Sequence, residues 1–306
     1  MENISLFDCH CDTALEIMRN GSSLYENSLH TDLSRGGKYE KYCQVYAIFA
    51  HDDFEENYRR SLTYLKGQLE LHKDKVSLCR DTKDIAKAAM EGKCAAVISA
   101  EGAELLGCDI DRIEAAKAEG ISSINITWNY ENALSGTNAE GTDKGLTEKG
   151  KAFVKKCFET KIAVDVSHIS DPGFWDIAEM GHPFYASHSN SRAVCGHKRN
   201  LTDDQFKAIV DCGGIAGMNM YSEFVGENAN ISDVIKHIDR FLKLGGEKNI
   251  AIGADFDGCD SLPEGIAGVQ DMYKIYDELI RLGYGKELAD DIFYNNAYRF
   301  YEKILG

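Results

Sequence analysis

The chain has 306 residues, a length that suits either one α/β barrel or two ordinary domains. Hydrophobic residues make up 43% and charged residues 27%, a composition typical of a soluble globular protein rather than a disordered one. The net charge of −16 argues against a nucleic-acid backbone as the partner.

The compartment is predicted from the first residues and from the cysteines. The N-terminus shows no basic segment followed by an apolar stretch, and no apolar run approaches the length that spans a bilayer. The ten cysteines then favour reduced thiols over a disulfide framework, and no Cys-x-x-Cys pair indicates a structural zinc site. We therefore expect a cytoplasmic protein without a membrane partner.

Eight predicted strands follow one another along the chain, each an apolar run rich in β-forming residues. They span residues 7–13, 42–50, 94–100, 121–128, 162–168, 184–188, 215–220 and 250–256. Between them, the helical spacing of apolar residues predicts helices over 53–75, 82–90, 109–119, 146–160, 172–180, 202–211 and 231–244. Two more helices, 270–282 and 287–304, are predicted after the last strand.

This alternation predicts an α/β fold, a (β/α)8 barrel of the TIM type with extra C-terminal helices. A doubly wound sheet usually has fewer strands, and the Gly-x-Gly-x-x-Gly turn of its first unit is missing here. No linker divides the chain, so residues 1–306 are predicted to form one domain. The long polar loops 130–144 and 221–230 both follow strands, so we expect them to overhang the C-terminal face, where active sites of this fold lie.

Side chains that bind metals or transfer protons fall at the ends of five predicted strands. They are His10, Asp12, Glu101, His168, His188, Asp255 and Asp257. Because the C-terminal ends of barrel strands meet at one rim, these side chains are predicted to converge. A single histidine or glutamate at a strand end is more often a structural hydrogen-bonding residue than a metal ligand. That interpretation does not readily account for metal-binding residue types at the ends of five strands.

The ligand set exceeds the capacity of one tetrahedral zinc ion, so two zinc ions per chain are predicted, with Glu101 as the carboxylate that bridges them. Strand alternation puts His10 and Asp12 on one face and turns Cys9 and Cys11 to the other. A water shared by the two metals would have a lowered pKa and be held as hydroxide at neutral pH.

Asp255 is predicted to accept a proton from that hydroxide and to donate it later, while Asp257 is predicted to support the turn after the last strand. The other histidines lie in predicted loops or helices, and we interpret them as surface or local structural residues. They are His30, His51, His72, His182, His197 and His237.

The chain resembles the membrane dipeptidase (renal dipeptidase) family of the amidohydrolase superfamily over nearly its whole length. Its ordered motifs match the family pattern: Asp-x-His-x-Asp at 8–12, Glu-Gly at 101–102, His-x-Ser at 168–170, Ser-His-Ser at 187–189, Arg-Asn at 199–200 and Gly-x-Asp-Phe-Asp-Gly at 253–258. Each motif is short, and the specificity lies in their order.

The resemblance implies a dinuclear zinc dipeptidase whose substrate is a small dipeptide, with the possibility of a homodimer left open. His10, Asp12 and Glu101 would bind one zinc ion, and Glu101, His168 and His188 the other. Arg199 would pair with the C-terminal carboxylate of the substrate, because its planar fork binds a carboxylate bidentately.

One departure from the family concerns the loop after the fourth predicted strand. Mammalian members carry a histidine there that contacts the region of the substrate carbonyl, whereas this chain has Trp128. Trp128 is therefore expected to shape the substrate pocket or to donate through its indole N–H, with Asn129 or Tyr130 supplying polarity.

Two alternative functions remain at this stage. Another amidohydrolase reaction, such as N-acyl amino-acid deacylation or the hydrolysis of a lactone or phosphoester, would use a similar barrel. Many such barrels carry His-x-His on the first strand and a lysine on the fourth, whereas the predicted strands here carry His-x-Asp and no lysine. A non-catalytic metal-binding barrel is the second alternative, and the presence of Asp255 argues against it.

Overall fold

Eight parallel strands close into a ring in the computed structural model, which describes residues 3–306. The strands are β1 (Leu6–Cys11), β2 (Tyr42–Ile48), β3 (Val76–Leu78), β4 (Cys94–Glu101), β5 (Ile121–Asn125), β6 (Ala163–Asp165), β7 (Tyr185–Ala186), β8 (Ile215–Met218) and β9 (Ile250–Ile252). All except β3 form the ring, which closes because β1 pairs with both β2 and β9, and β2 pairs with β4. The predicted (β/α)8 barrel is confirmed, whereas its organisation as one domain stays a prediction.

The short strand β3 was not predicted from the sequence. It pairs with the first half of β4, from Val76 opposite Cys94 to Leu78 opposite Ala96. On the same side of β4, β5 pairs with the second half, from Ile98 to Glu101. β3 therefore extends the sheet without entering the ring.

Most strands are shorter than predicted, and β6, β7 and β9 end before the polar residues that were assigned to them. His168, His188 and Asp255 lie in the loops just beyond these strands. His168 has a φ of 76° and Asp255 a φ of 60°, and this left-handed conformation is incompatible with a β-strand. These three candidate site residues are thus presented by loops that the strands hold in place.

Helices follow the strands on the outside of the ring. They are α1 (Thr13–Asn20), α2 (Leu33–Gly36), α3 (Phe54–Leu71), α4 (Thr82–Met90), α5 (Ile113–Glu119), α6 (Glu148–Glu159), α7 (Asp171–Ala178), α8 (Asp203–Asp211), α9 (Ser222–Val225), α10 (Ile231–Lys243), α11 (Tyr273–Arg281), α12 (Lys286–Asp290) and α13 (Asn296–Leu305). A π-helical turn, Asp291–Asn295, interrupts the helix that was predicted over 287–304. No helix of residues 3–306 has both the length and the apolar run that crossing a membrane requires.

Side-chain caps explain where several helices begin. The Thr202 hydroxyl accepts the backbone N–H of Gln205, whose side chain accepts the N–H of Thr202 in return, a capping box that starts α8. Asp81, Thr147 and Ser170 cap α4, α6 and α7 in the same way with their side-chain oxygens.

The barrel interior is closed at one end by the C-terminal helix. Alternate strand residues such as Phe7 and Val45 form a buried cluster with Phe300 and Tyr301 of α13, and the rings of Phe7 and Tyr301 stack with centroids 5.2 Å apart. Because Phe7 lies near the start of β1, α13 covers the N-terminal end of the barrel. The candidate site residues lie at the opposite, C-terminal end of the strands.

The alternation predicted for the first strand is partly wrong. Cys9 packs in the cluster that contains α13, whereas Cys11 packs in the other hydrophobic cluster. The register of β1 against β2 shifts between Asp8 and Cys11, and such an irregularity changes the direction of the following side chains. The regular alternation of side chains in β1 is therefore interrupted close to His10.

Two glycines let β8 and β9 approach the loop after β7. A Cβ atom on Gly217 would lie 1.9 Å from the carbonyl oxygen of Ser187, and one on Gly253 would lie 1.7 Å from the same atom. Real side chains do not tolerate such distances, so the backbone before His188 would have to move.

We predict that Gly253→Ala destabilises the protein by about 1–3 kcal/mol or more, because the added methyl group overlaps a backbone carbonyl. Urea unfolding measures the change. Gly67→Ala is the matched control, since Gly67 lies inside α3 with no atom within 4 Å of its added Cβ. In a helix interior that exchange stabilises by about 0.5–1 kcal/mol. Equal unfolding free energies for the two variants would contradict the packing argument.

Candidate functional site

Glu101 lies at the centre of a group of buried histidines at the C-terminal end of the barrel. It is the last residue of β4, and its Oε1 atom is 2.9 Å from His168 Nε2, 3.5 Å from His10 Nε2 and 3.7 Å from His188 Nε2. All four side chains are almost completely buried. The structure thus brings together side chains from four strands or the loops that follow them.

Two further carboxylates face His10. Asp12 Oδ1 is 3.5 Å and Asp255 Oδ1 is 3.8 Å from His10 Nε2. The other oxygen of Asp255 accepts a hydrogen bond from Asn219 Nδ2 at 2.9 Å, which fixes the orientation of the carboxylate. Asn219, which follows β8, was not predicted as a site residue.

Three groups of side chains in residues 3–306 have metal-binding geometry, with one ligand atom from each member within 4.8 Å of the others. The groups are His10, Asp12 and Glu101; Glu101, His168 and His188; and His10, Asp165 and His188. The first two are the ligand sets expected from the sequence, and they share Glu101. The third adds Asp165, a residue that the sequence analysis did not select.

The buried polar atoms of this group fit a metal. Asp12 Oδ1, Glu101 Oε2 and His10 Nε2 are buried without a hydrogen-bond partner among the described residues. Each such atom costs about 1–3 kcal/mol when it is left unsatisfied. Imidazole nitrogens and carboxylate oxygens are ligands that zinc prefers, so a bound cation would satisfy all three.

The two histidines beyond β6 and β7 support the same interpretation. Their Nε2 atoms lie 3.0 Å apart, and His168 Nε2 also accepts a hydrogen bond from Arg199 Nη2 at 2.9 Å. Asn129 Oδ1 accepts from His168 Nδ1 at 2.9 Å, which leaves Nε2 unprotonated in the neutral ring. The Nε2 atom of His168 faces both His188 Nε2 and the Glu101 carboxylate. A cation between these three atoms would stabilise the arrangement.

The charges of the group shift the pKa values of its members in opposite directions. Burial and the charge of Glu101 raise the pKa of Asp12 well above its ordinary value. Burial and the charge of Arg199 lower the pKa of His168 to about 4, and burial with the charge of His10 lowers the pKa of His188 well below its ordinary value. The neutral rings of His168 and His188, beside carboxylates that repel each other, favour cation binding.

Three residues at or beside this site have a strained backbone. His168, Asp255 and Asp257 all adopt positive φ angles, which cost non-glycine residues about 1–3 kcal/mol each and persist where surrounding contacts hold them. For Asp257 these contacts are visible, because its carboxylate accepts hydrogen bonds from Thr13 Oγ1 at 2.5 Å and from the His30 N–H at 2.6 Å. The geometry supports the structural role predicted for Asp257.

Arg199 reaches the site from the loop before α8. It is 6% exposed, its Nη1 atom has no hydrogen-bond partner among the described residues, and its guanidinium lies over the Phe224 ring at 5.4 Å. The His197 ring also stacks on Phe224, with centroids 4.5 Å apart. Phe224 was missed, and His197, interpreted from the sequence as a surface or structural residue, lies in the pocket wall.

Aromatic side chains form another wall of the same pocket, a cavity of about 480 Å³. The Trp128 ring lies 5.3 Å from that of Phe49 and 4.9 Å from that of His51. Asn129 also lines the cavity. Phe49 and His51 were not predicted as site residues, although their position at the end of the second predicted strand is the signal that would have selected them.

Comparisons with known proteins agree with this geometry. The family model described as membrane dipeptidase, peptidase family M19, matches residues 1–305. A protein of Klebsiella pneumoniae, known as an uncharacterized protein in the pqqA 5′ region, is 31% identical over 258 residues, which are 80% of this chain and 95% of that protein. The match therefore extends over both chains.

Solved structures share the fold. Dipeptidase AC, a metallo peptidase of family M19, is 25% identical with a TM-score of 0.92, and 99% of each chain is covered. A metallo peptidase from Rhodobacter sphaeroides, solved with a phosphinate mimic of the dipeptide L-Ala-D-Ala, is 24% identical with a TM-score of 0.90 over 99% of each chain. With the family model matching almost every residue, this chain belongs to the membrane dipeptidase family of metallopeptidases, in the amidohydrolase superfamily.

Proposed function

We propose that this protein is a zinc-dependent dipeptidase that binds two zinc ions and hydrolyses the peptide bond of small dipeptides. The observation that carries the proposal is the position of Glu101 between two groups of ligand atoms, one with His10 and Asp12 and one with His168 and His188. Family membership supports a metal-dependent dipeptidase, and dipeptidase AC shares both the family and the fold.

The two ligand groups would hold the metals, and Glu101 would contribute one oxygen to each. When bound, the two cations would act as Lewis acids towards the scissile carbonyl and would lower the pKa of a water at the site. The protein's part is to fix the ligand geometry and to exclude competing polar contacts, which the burial of all five side chains supports.

Asp255 is proposed to accept the proton of the attacking water and to pass it to the leaving amine. Its Oδ1 atom faces the ligand group, while Asn219 holds its Oδ2 atom by a hydrogen bond. The carboxylate therefore has one oxygen for orientation and one for proton transfer. Its position at the pocket surface gives it access to substrate.

Arg199 is proposed to bind the C-terminal carboxylate of the substrate. Its Nη1 atom has no hydrogen-bond partner within residues 3–306, and Phe224 supports the guanidinium plane from one side. The guanidinium of Arg199 is already removed from water by burial. A substrate carboxylate that reaches it would therefore form a strong charge-assisted hydrogen bond. Trp128 and Asn129 are proposed to shape the part of the pocket that receives the rest of the substrate. A cavity of about 480 Å³ suits a dipeptide rather than a long peptide.

Removal of metal is the first test. We predict that the purified protein contains two zinc ions per chain, that a chelator abolishes dipeptide hydrolysis, and that zinc restores it. Mass spectrometry of the metals and amine release from a panel of dipeptides and N-acyl amino acids measure these outcomes. Hydrolysis of the acyl amino acids alone would replace the dipeptidase with the deacylase, since Arg199 suits both substrates.

Asp255→Asn tests the proton transfer. The amide keeps the shape of the side chain but cannot accept the proton, so kcat is predicted to fall about 10²–10⁴-fold with the zinc content unchanged. Steady-state kinetics and metal analysis of the same preparation give the answer. Asp260→Asn is the control, because Asp260 is an exposed carboxylate in the same loop. An Asp255→Asn enzyme of normal kcat would remove Asp255 from the mechanism.

Arg199→Gln tests recognition of the carboxylate. We predict that KM for a dipeptide rises about 10–100-fold, since a charged hydrogen bond contributes about 1.5–3 kcal/mol. The same dipeptide as its C-terminal amide serves as the internal control, because it presents no carboxylate to lose. The variant should therefore hydrolyse acid and amide with similar kcat/KM. If the variant prefers the acid over the amide as strongly as the wild type does, the substrate carboxylate binds to a residue other than Arg199.

A further inference from the structure

Asp165 ties together the two loops that carry His168 and His188. It is the last residue of β6 and is fully buried. One of its oxygens, Oδ1, accepts hydrogen bonds from the backbone N–H groups of Ser167 and Ser187, both at 3.0 Å. Each of these serines directly precedes one of the two histidines, so a single carboxylate oxygen fixes the start of both loops.

The second oxygen of Asp165, Oδ2, is buried without a hydrogen-bond partner among residues 3–306. A carboxylate oxygen of Asp165 and one ring nitrogen each of His10 and His188 lie within 4.8 Å of one another, and these two rings pack with centroids 3.9 Å apart. The carboxylate thus lies against the two rings and does not face bulk water.

Ser187 provides a further connection from Asp165 to His188. Its N–H donates to Asp165, and its hydroxyl oxygen lies 2.6 Å from His188 Nδ1. The Nε2 atom of the same ring faces His168, on the side of the proposed metals. Metal-binding histidines usually have the nitrogen away from the metal held by a carboxylate, hydroxyl or carbonyl group, which fixes the tautomer and the ring orientation.

We propose that Asp165 is a positioning residue for the metal site: one oxygen holds the loops of His168 and His188, and the other orients the rings of His10 and His188 toward the metals. This inference rests on the proposed function, since it presupposes that these histidines bind metal. Asp165 is not itself a ligand in the two expected sets. Its role is to lower the free energy of metal binding by holding the ligands in place before the metal arrives.

Asp8 offers a matched comparison within the same barrel. It is equally buried, its Oδ1 accepts the N–H groups of Ala254 at 2.8 Å and His10 at 3.3 Å, and its Oδ2 also lacks a partner among the described residues. It differs in one respect, because it belongs to none of the groups with metal-binding geometry. Exchanging Asp8 for Asn therefore removes a buried charge near the site without removing a contact to the ring nitrogens.

The test measures zinc affinity of the metal-free full-length proteins by competition with a chromophoric chelator, together with their melting temperatures. Asp165→Asn keeps an oxygen for the two backbone N–H groups, so the metal-free melting temperature should stay close to that of the wild type. Its zinc affinity is expected to fall about 10–100-fold, and that of Asp8→Asn by clearly less. Ser187→Ala keeps Asp165 and should also weaken zinc binding, which provides a reading if Asp165→Asn does not fold.

The outcomes separate this inference from the proposed function. Wild-type zinc affinity in both Asp165→Asn and Ser187→Ala would overturn the positioning role while leaving the dipeptidase proposal intact. Equal losses in Asp165→Asn and Asp8→Asn would also overturn it, because the cause would then be a general loss of buried charge. A wild-type protein that binds no zinc would instead overturn the proposed function, and the inference with it.

Discussion

The burial of a carboxylate among histidines is the interaction on which the rest of the structure depends. Glu101 is 2% exposed, and isolated burial of its charge would be strongly unfavourable. Although burial alone raises the pKa of Glu101, the charge of the nearby His10 holds it well below its ordinary value. The carboxylate therefore stays charged, and its surroundings are those of a cation site.

Both the strands and the loops of the barrel hold this arrangement in place. Short strands fix the positions where the loops begin, and buried carboxylates then hold the loops by accepting backbone N–H groups. Asp165 does this for the loops of His168 and His188. Asp257 does it from within its own turn, where it binds the His30 N–H. Gly253 completes the arrangement by allowing a close approach to the carbonyl before His188.

The fold and the residues of the candidate metal site were accessible from the sequence because both depend on local patterns. Apolar runs that alternate with segments of helical periodicity predicted the ring of strands. Glu101 and the histidines were selected because they are polar residues at the ends of those runs. The strand ends were less accessible, because the positive φ of His168 depends on contacts between distant segments. Phe224 was missed for the same reason, since its contact with Arg199 joins two loops, and an inward-facing aspartate such as Asp165 has no distinctive pattern.

We propose that Glu101 bridges two metals at the end of the barrel. A crystal structure of the zinc-loaded protein, with anomalous differences measured on both sides of the zinc absorption edge, would show whether it does. We predict two peaks roughly 3.5–4 Å apart, each about 2.0–2.2 Å from a different oxygen of Glu101. A single peak, or peaks that Glu101 does not contact, would contradict it.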